Sequence, residues 1–187
     1  MRILLLTMTF VIAGVLRLPA QKAGVELKIA IPNAAINGPE ERRRPLTYDT
    51  SGKRPFYVLL TNKSDKEQRF WEDWNSWGYR NLYFELTDSK GKTWLSKRGI
   101  MSWNMNAPSW FSLLPNETHV FAVTFPDNWE NLPKVERPPT VVTMRAMYEI
   151  SPDPGSASSS VPQSTVYHIW IGKVISDPLK VDLYDPK

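Results

Sequence analysis

The sequence contains no cysteine among its 187 residues. This absence excludes disulfide bonds, thiolate metal sites, cysteine nucleophiles and a lipid anchor attached to cysteine. A domain without disulfides must be held together by its apolar core, and a chain of this length can bury one. With 42% apolar and 22% charged residues, the composition is typical of a globular protein.

Histidine is nearly as scarce, since the chain has two, His119 and His168. These are the side chains that serve as neutral bases near pH 7 without a large pKa shift. Both fall in alternating segments, and we interpret them as strand residues on the less apolar face. The sequence has no HExxH spacing, acidic calcium loop, nucleophile elbow or glycine-rich phosphate loop. We therefore predict no catalytic residues, no metal site and no cofactor.

Glycine is also scarce, and the sequence has no long stretch with sustained helical periodicity. The 16 prolines outnumber the 9 glycines, and proline breaks helix interiors because it lacks an N–H donor, so a helical bundle is disfavoured. The formal net charge is +4, and the dense basic cluster is Arg42-Arg43-Arg44. A nucleic-acid surface needs a broader basic patch, so we interpret this triplet as a solvated loop and expect no nucleic-acid partner.

The N-terminus carries an apolar stretch, Ile3–Leu16, which follows a positively charged start and precedes Ala20. Such a segment is typical of a secretory signal peptide. Arg17 ends the stretch short of the roughly 20 apolar residues that a spanning helix needs. We expect residues 1–20 to be removed, residues 21–187 to form one domain, and the mature protein to be periplasmic or extracellular without a stable membrane span. A buried N-terminal helix and an uncleaved anchor are the alternatives.

Most of the remaining chain consists of short segments in which apolar and polar residues alternate. A period of two is typical of half-buried β-strands. The pattern predicts an all-β fold, an antiparallel β-sandwich of about seven or eight strands. The predicted strands are 25–31, 55–62, 80–87, 93–95, 118–125, 141–150 and 166–175, with 179–183 as an extension. The residues expected to share one core are Leu82, Phe84, Leu86, Val123, Met144 and Ala146.

Turns and loops separate these strands. Asn62–Asp65 is predicted to turn, because asparagine and aspartate side chains bond nearby backbone groups. Gly91 is available for a positive φ angle in the hairpin after the third strand. We interpret 32–53 and 97–112 as irregular, and the Ser/Pro-rich segment 151–164 as a mobile loop.

Three local patterns resemble those of a known class of domain. They are the strand end Leu60-Thr61-Asn62, the hairpin Phe84–Asp88 and the turn Leu113–Thr118. In that turn Asn116 stands where glycine is usual, and asparagine tolerates the left-handed backbone region. The chain resembles bacterial exported immunoglobulin-like accessory domains, and over residues 55–125 it is partly similar to the intracellular-proteinase-inhibitor-like family. The resemblance implies an immunoglobulin-like sandwich and, for the second family, inhibition of a peptidase.

Tryptophan is the residue type in surplus, with eight in the chain. A tryptophan that the core does not require can stack on a sugar ring or anchor a protein interface. We therefore predict binding residues among the five that lie outside clean alternation. The alternative is an apolar cluster that covers the open end of the sandwich. The five are Trp71, Trp74, Trp77, Trp103 and Trp110.

These observations together predict an exported, non-catalytic binding or accessory domain that contacts a protein or a glycan. Two alternatives stay open. One is a peptidase inhibitor, and the other is a carbohydrate-active hydrolase that uses carboxylates such as the adjacent Glu72 and Asp73. Exposed tryptophans favour binding, a protruding loop favours inhibition, and a cleft with two facing carboxylates favours hydrolysis.

Overall fold

Eleven β-strands and one helical turn form the regular structure of the residues that the computed structural model describes, which are 24–32, 44–47, 55–104, 106–135, 140–152 and 163–184. The predicted signal peptide, residues 1–20, lies outside them. The elements are β1 (Val25–Ala30), β2 (Arg44–Thr47), β3 (Phe56–Asn62), β4 (Gln68–Trp71), β5 (Leu82–Asp88), β6 (Thr93–Lys97), β7 (Trp110–Leu113), β8 (Thr118–Val123), β9 (Thr140–Ile150), α1 (Gln163–Val166), β10 (Gly172–Ile175) and β11 (Leu179–Tyr184).

The strands form two main sheets and a two-stranded ribbon. The smaller sheet has the order β1-β3-β8, and the larger has the order β2-β11-β9-β5-β6, with β10 also paired to β9. The ribbon pairs β4 with β7. All these pairs are antiparallel except β2 with β11, which is parallel. The predicted all-β class is confirmed.

The two sheets enclose one apolar core, as in a β-sandwich. Phe56 of the smaller sheet meets Phe84 of the larger sheet edge to face, with ring centroids 5.4 Å apart. Phe121 stacks on Tyr148 across the same gap at 5.7 Å. The predicted core is confirmed, because its six residues are at most 3% exposed and belong to this one cluster: Leu82, Phe84, Leu86, Val123, Met144 and Ala146.

Asn62 is fully buried although its side chain is polar. Its Nδ2 donates to the carbonyls of Lys66 and Leu113 at 2.7 and 2.8 Å. Its Oδ1 accepts from the backbone N–H and the hydroxyl of Ser64, which confirms the predicted turn. The backbone N–H of Asn116 donates to the Asn62 carbonyl at 2.7 Å. One residue thus joins the end of β3 to β7 and to the turn before β8.

Two further turn predictions are confirmed by backbone geometry. Asn116 has φ of 68° and Gly91 has φ of 82°. Both angles lie in the left-handed region, which asparagine and glycine adopt at the lowest cost. The Asp88 carboxylate accepts the backbone N–H groups of Lys90 and Lys92 and so closes the hairpin between β5 and β6.

The prediction of irregular structure is wrong in two places. Arg44–Thr47, within the predicted loop 32–53 and including the last residue of the arginine triplet, forms β2 beside β11. Trp110–Leu113, at the end of the predicted irregular segment 97–112, forms β7 beside β4. These four-residue strands are too short to show alternation, and their partners are distant in sequence. The strand count therefore exceeds the predicted seven or eight.

Of the predicted strand 166–175, the last four residues form a strand, β10, and the residues before them do not. The chain first forms α1, and the Ile169 N–H donates to the Ser164 carbonyl at 2.8 Å. His168 then takes a φ of 54°, which reverses the chain before β10. Ser164 is buried, although it ends the segment predicted as a mobile loop. The residues 153–162 of that segment lie outside the described ones.

Among the described residues, no helix has the length and apolar character that a membrane span requires.

Replacing Phe84 by alanine should lower the free energy of unfolding by about 3–5 kcal/mol, because its ring contacts three other aromatic rings in the buried core. The control is Leu95→Ala on the neighbouring strand β6, where the side chain is exposed and the change should stay within about 0.5 kcal/mol. Urea denaturation measures both. Equal losses for the two variants would contradict the assigned core face.

Candidate ligand-binding cleft

Residues 72–81, which we call the tryptophan loop, connect β4 to β5 and are held by the buried side chain of Asn75. Its Nδ2 donates to the backbone carbonyl and the hydroxyl of Ser109, both at 3.0 Å. Its Oδ1 accepts the N–H groups of Trp77 and Gly78, also at 3.0 Å. All the hydrogen-bonding capacity of this amide is thus used to shape the loop and to attach it to the chain just before β7.

Gly78 allows the tryptophan loop to close on itself. A Cβ atom at this position would lie 2.1 Å from the carbonyl oxygen of Glu72. Atoms cannot approach so closely, so any other residue would push the loop apart. The loop also contacts the segment before β7, because the Ser76 N–H donates to Asn106 Oδ1 at 3.2 Å. The loop is therefore a fixed element of the fold.

The five predicted tryptophans lie in different environments. Trp71 ends β4 and is 3% exposed, so its ring belongs to the core. Trp74 at the tip of the tryptophan loop is 61% exposed, and Trp110 on β7 is 36% exposed. Trp77 and Trp103 are partly buried. The five side chains therefore do not form one exposed surface.

Three of these rings are linked, because Trp71 contacts Tyr167 at 5.8 Å and Tyr167 in turn contacts Trp110. Trp71 and Trp77 lie together, with ring centroids 6.1 Å apart. Trp110 packs on Tyr167 at 4.7 Å, with the Arg69 guanidinium 5.8 Å from its centroid. Trp71 and Trp77 line a cleft, whereas Trp110 on β7 is not among its lining residues. The Trp71–Trp77 pair is therefore the part of the predicted set that has a concave site beside it.

A cleft of about 530 Å³ opens beside the tryptophan loop. Its walls come from that loop, from the outer face of β5 and β6, and from the end of β9. A volume of this size suits a small ligand or a short segment of a larger one. The lining residues are Trp71, Ser76, Trp77, Arg80, Asn81, Tyr83, Lys97, Glu149, Ile150 and Ser151.

Four side chains on the outer sheet face form what we call the lysine–tyrosine cluster: Tyr83, Lys97, Glu149 and Lys173. Strand register brings them together, because Tyr83 pairs with Lys97 and Glu149 pairs with Lys173. The Tyr83 hydroxyl donates to Glu149 Oε2, and Lys173 Nζ lies 3.4 Å from the same oxygen. Lys97 Nζ sits 4.3 Å from the Tyr83 ring centroid, where a cation is attracted to the ring face.

Contacts within the cluster change the pKa values of three of its members. The hydrogen bond from Tyr83, supported by the charge of Lys173, lowers the pKa of Glu149. Burial, followed by the hydrogen bond to Glu149, raises the pKa of Tyr83. The contact with Tyr83 raises the pKa of Lys173. At neutral pH Glu149 is therefore a carboxylate, Tyr83 a neutral phenol and Lys173 a charged ammonium group.

Asn81 places a hydrogen-bonding amide in the wall of the cleft. Its backbone carbonyl accepts the Glu149 N–H at 2.9 Å, which fixes its position beside the cluster. Its Nδ2 atom is buried, and the side chain lies against the buried Tyr148 hydroxyl, close enough to act on the pKa of that group. Burial raises the pKa of Tyr148, so this hydroxyl stays protonated.

The adjacent acids Glu72 and Asp73 do not belong to the lining of the cleft. Burial, with repulsion from Asp73, raises the pKa of Glu72. Asp73 pairs with Arg98 at 3.0 Å, and that guanidinium lies 5.0 Å from the Tyr79 ring centroid. Glu149 is the one carboxylate among the described lining residues. No group of three or more potential metal ligands occurs in the described part of the chain.

The interpretation of His119 as a residue of the less apolar face is wrong. Its ring stacks on Phe111, with centroids 4.0 Å apart, and meets Phe121 at 4.6 Å. His119 therefore shares the face of Phe121 on β8, as strict alternation requires. Burial lowers the pKa of His119, so at neutral pH the ring packs as an uncharged aromatic group.

Sequence reasoning missed the lysine–tyrosine cluster, although one signal was present. Alternation places Tyr83 on the outer face of β5, opposite the core. It cannot identify Lys97, Glu149 and Lys173 as neighbours, because their proximity depends on the register of three strand pairs. Comparison with known sequences adds no assignment: the chain matches no protein-family model, and a search of curated proteins finds no similar sequence.

Alanine variants of two predicted tryptophans should differ sharply in stability. Trp71→Ala removes a buried ring and should cost about 3–5 kcal/mol. Trp74→Ala removes an exposed ring and should change stability by less than about 0.5 kcal/mol. Urea denaturation followed by circular dichroism measures both. A large loss for Trp74→Ala would contradict its placement at the loop tip.

Proposed function

We propose that this chain is an exported, non-catalytic binding domain, and that it binds a saccharide in the cleft beside the tryptophan loop. The observation that carries the proposal is the position of Trp77. Its partly buried ring rests against Trp71 and forms one wall of a cleft whose other walls carry amide, phenol, carboxylate and ammonium groups.

This combination matches the two-sided chemistry of a sugar ring. The faces of the ring carry C–H groups that pack on a flat aromatic surface, and the rim carries hydroxyls that need hydrogen-bond partners. Among the lining residues, Ser76 offers a hydroxyl, Lys97 an ammonium group and Glu149 a carboxylate. A concave site with an apolar wall and a few convergent polar groups is the usual form of a small-ligand site.

The strand order supports the expectation of an immunoglobulin-like sandwich, which is part of this proposal. An immunoglobulin domain places strands A, B and E side by side in one sheet and C, F and G in the other. The orders β1-β3-β8 and β5-β9-β10 follow the same succession along the chain. The cleft would then lie on the outer face of the sheet that contains strands C, F and G.

Replacing Trp77 by leucine should weaken saccharide binding by about tenfold or more, because interface aromatics carry a large share of binding energy. Leucine keeps an apolar side chain against Trp71 but removes the flat ring. The control is Trp103→Leu, which changes a partly buried tryptophan that packs on Tyr79 outside the cleft. Screening on a glycan array, followed by calorimetry, measures the effect. Equal binding by the two variants would contradict a site at Trp77.

A second candidate function, contact with a protein, is favoured by the loop between β6 and β7. Ile100 in this loop is 86% exposed, and Met101 beside it is also exposed. The base of the loop is fixed, because Arg98 pairs with Asp73 of the tryptophan loop. An anchored loop with an apolar tip suits insertion into a partner, including the active-site cleft of a peptidase.

Replacing Ile100 by aspartate should abolish such a contact without a loss of stability, since the side chain is exposed. Leu114→Asp, at an exposed position in the turn before β8, is the matched control. Inhibition assays with a panel of purified peptidases provide the measurement. We expect a loss of at least about tenfold in inhibition for the Ile100 variant alone. Equal inhibition by both variants and the parent would contradict this contact.

A further inference from the structure

The charges around the cleft do not balance. Lys97 and Arg80 line it, and Lys173 lies beside it on β10. The one carboxylate among the described lining residues is Glu149, which already accepts from Tyr83 and pairs with Lys173. Among the described residues, three cationic groups therefore surround a single carboxylate, which leaves an excess of positive charge in this part of the chain.

Two of these cations form no ion pair within the described part of the chain, although the charge of Lys97 helps to lower the pKa of Glu149. Lys97 forms no ion pair there, and its ammonium group is held over the Tyr83 ring instead. Arg80 is exposed at the end of the tryptophan loop and also lacks an ion pair with a described residue. Each has hydrogen-bond donors that no described carboxylate accepts, and both side chains reach the same cleft.

The fold fixes the position of Lys97 more firmly than that of an ordinary surface lysine. Lys97 pairs with Tyr83 across β6 and β5, and its backbone carbonyl accepts the Glu130 N–H at 2.9 Å. The Tyr83 hydroxyl is fixed in turn by Glu149. A preorganised cation loses less conformational freedom on binding, so an anionic group gains more from it.

On this basis, and resting on the proposed saccharide site, we propose that the bound saccharide is anionic and that its acid group is held by Lys97 and Arg80. The acid is a carboxylate of a uronic acid or a sulfate ester, since both present oxygen atoms that accept charge-assisted hydrogen bonds from these cations. Trp77 packs against the ring that bears the acid.

The test uses matched pairs of saccharides with the full mature chain. One pair is an oligogalacturonide and its methyl ester, and the other is a sulfated galactan oligosaccharide and its desulfated form. We expect the acidic member of at least one pair to bind about tenfold more tightly than its neutral partner, and the preferred pair identifies the acid. This preference should shrink as the NaCl concentration rises.

Substitutions of individual lysines then show which cation holds the acid group of the saccharide. Lys97→Gln should abolish the preference for the acidic member, and Lys97→Arg should retain it. Lys92→Gln makes the same change in charge at the hairpin turn, away from the cleft, and should leave the preference intact. Thermal unfolding shows whether each variant is folded, and the salt dependence of the parent chain tests the charge without any variant.

The remaining outcomes separate this inference from the proposed function. Equal binding of acidic and neutral members to the parent chain would overturn the anionic assignment and leave the saccharide site standing. A preference that survives Lys97→Gln would overturn the role of Lys97. Failure of every saccharide on a broad array to bind would overturn both the proposed function and this inference.

Discussion

The structure depends on side-chain amides that replace backbone pairing where strands end. Asn62 donates to two carbonyls and accepts from Ser64, so the end of β3 is attached to β7 without exposing backbone groups. Asn75 makes an equivalent set of bonds inside the tryptophan loop. A buried amide that lost these partners would leave polar groups without hydrogen bonds at a cost of about 1–3 kcal/mol each. These two residues thus couple the sandwich to the segments that carry the candidate site.

The cleft follows from this coupling and from strand register. Asn75 and Gly78 fix the tryptophan loop, which places Trp77 against the buried ring of Trp71. The outer faces of β5, β6 and β9 add the remaining wall, with Tyr83 at its centre. The sandwich core holds these strands in place, so the polar side chains on their outer faces have fixed positions around the cleft.

Much of the fold could be predicted because its signals are local. Alternation identified the buried face of β9, and the left-handed turn at Asn116 followed from residue chemistry. The ribbon of β4 and β7 could not be predicted, since its strands are short and pair across a long stretch of sequence. The sequence predicted tryptophan as a residue type of the candidate site, but it did not predict which side chains lie together there. Trp77 was among the predicted residues, whereas Lys97 and Glu149 become neighbours of the cleft through pairings that no local pattern encodes.

The most direct test of the cleft as a ligand site is an NMR titration. The ¹⁵N-labelled protein would be titrated with the saccharide that binds it most tightly on an array. The account predicts that the indole N–H of Trp77 and the side-chain amide of Asn81 shift together, while the indole N–H of Trp110 on the ribbon does not. Shifts confined to Trp74 and the Ile100 loop, with Trp77 and Asn81 unchanged, would contradict it.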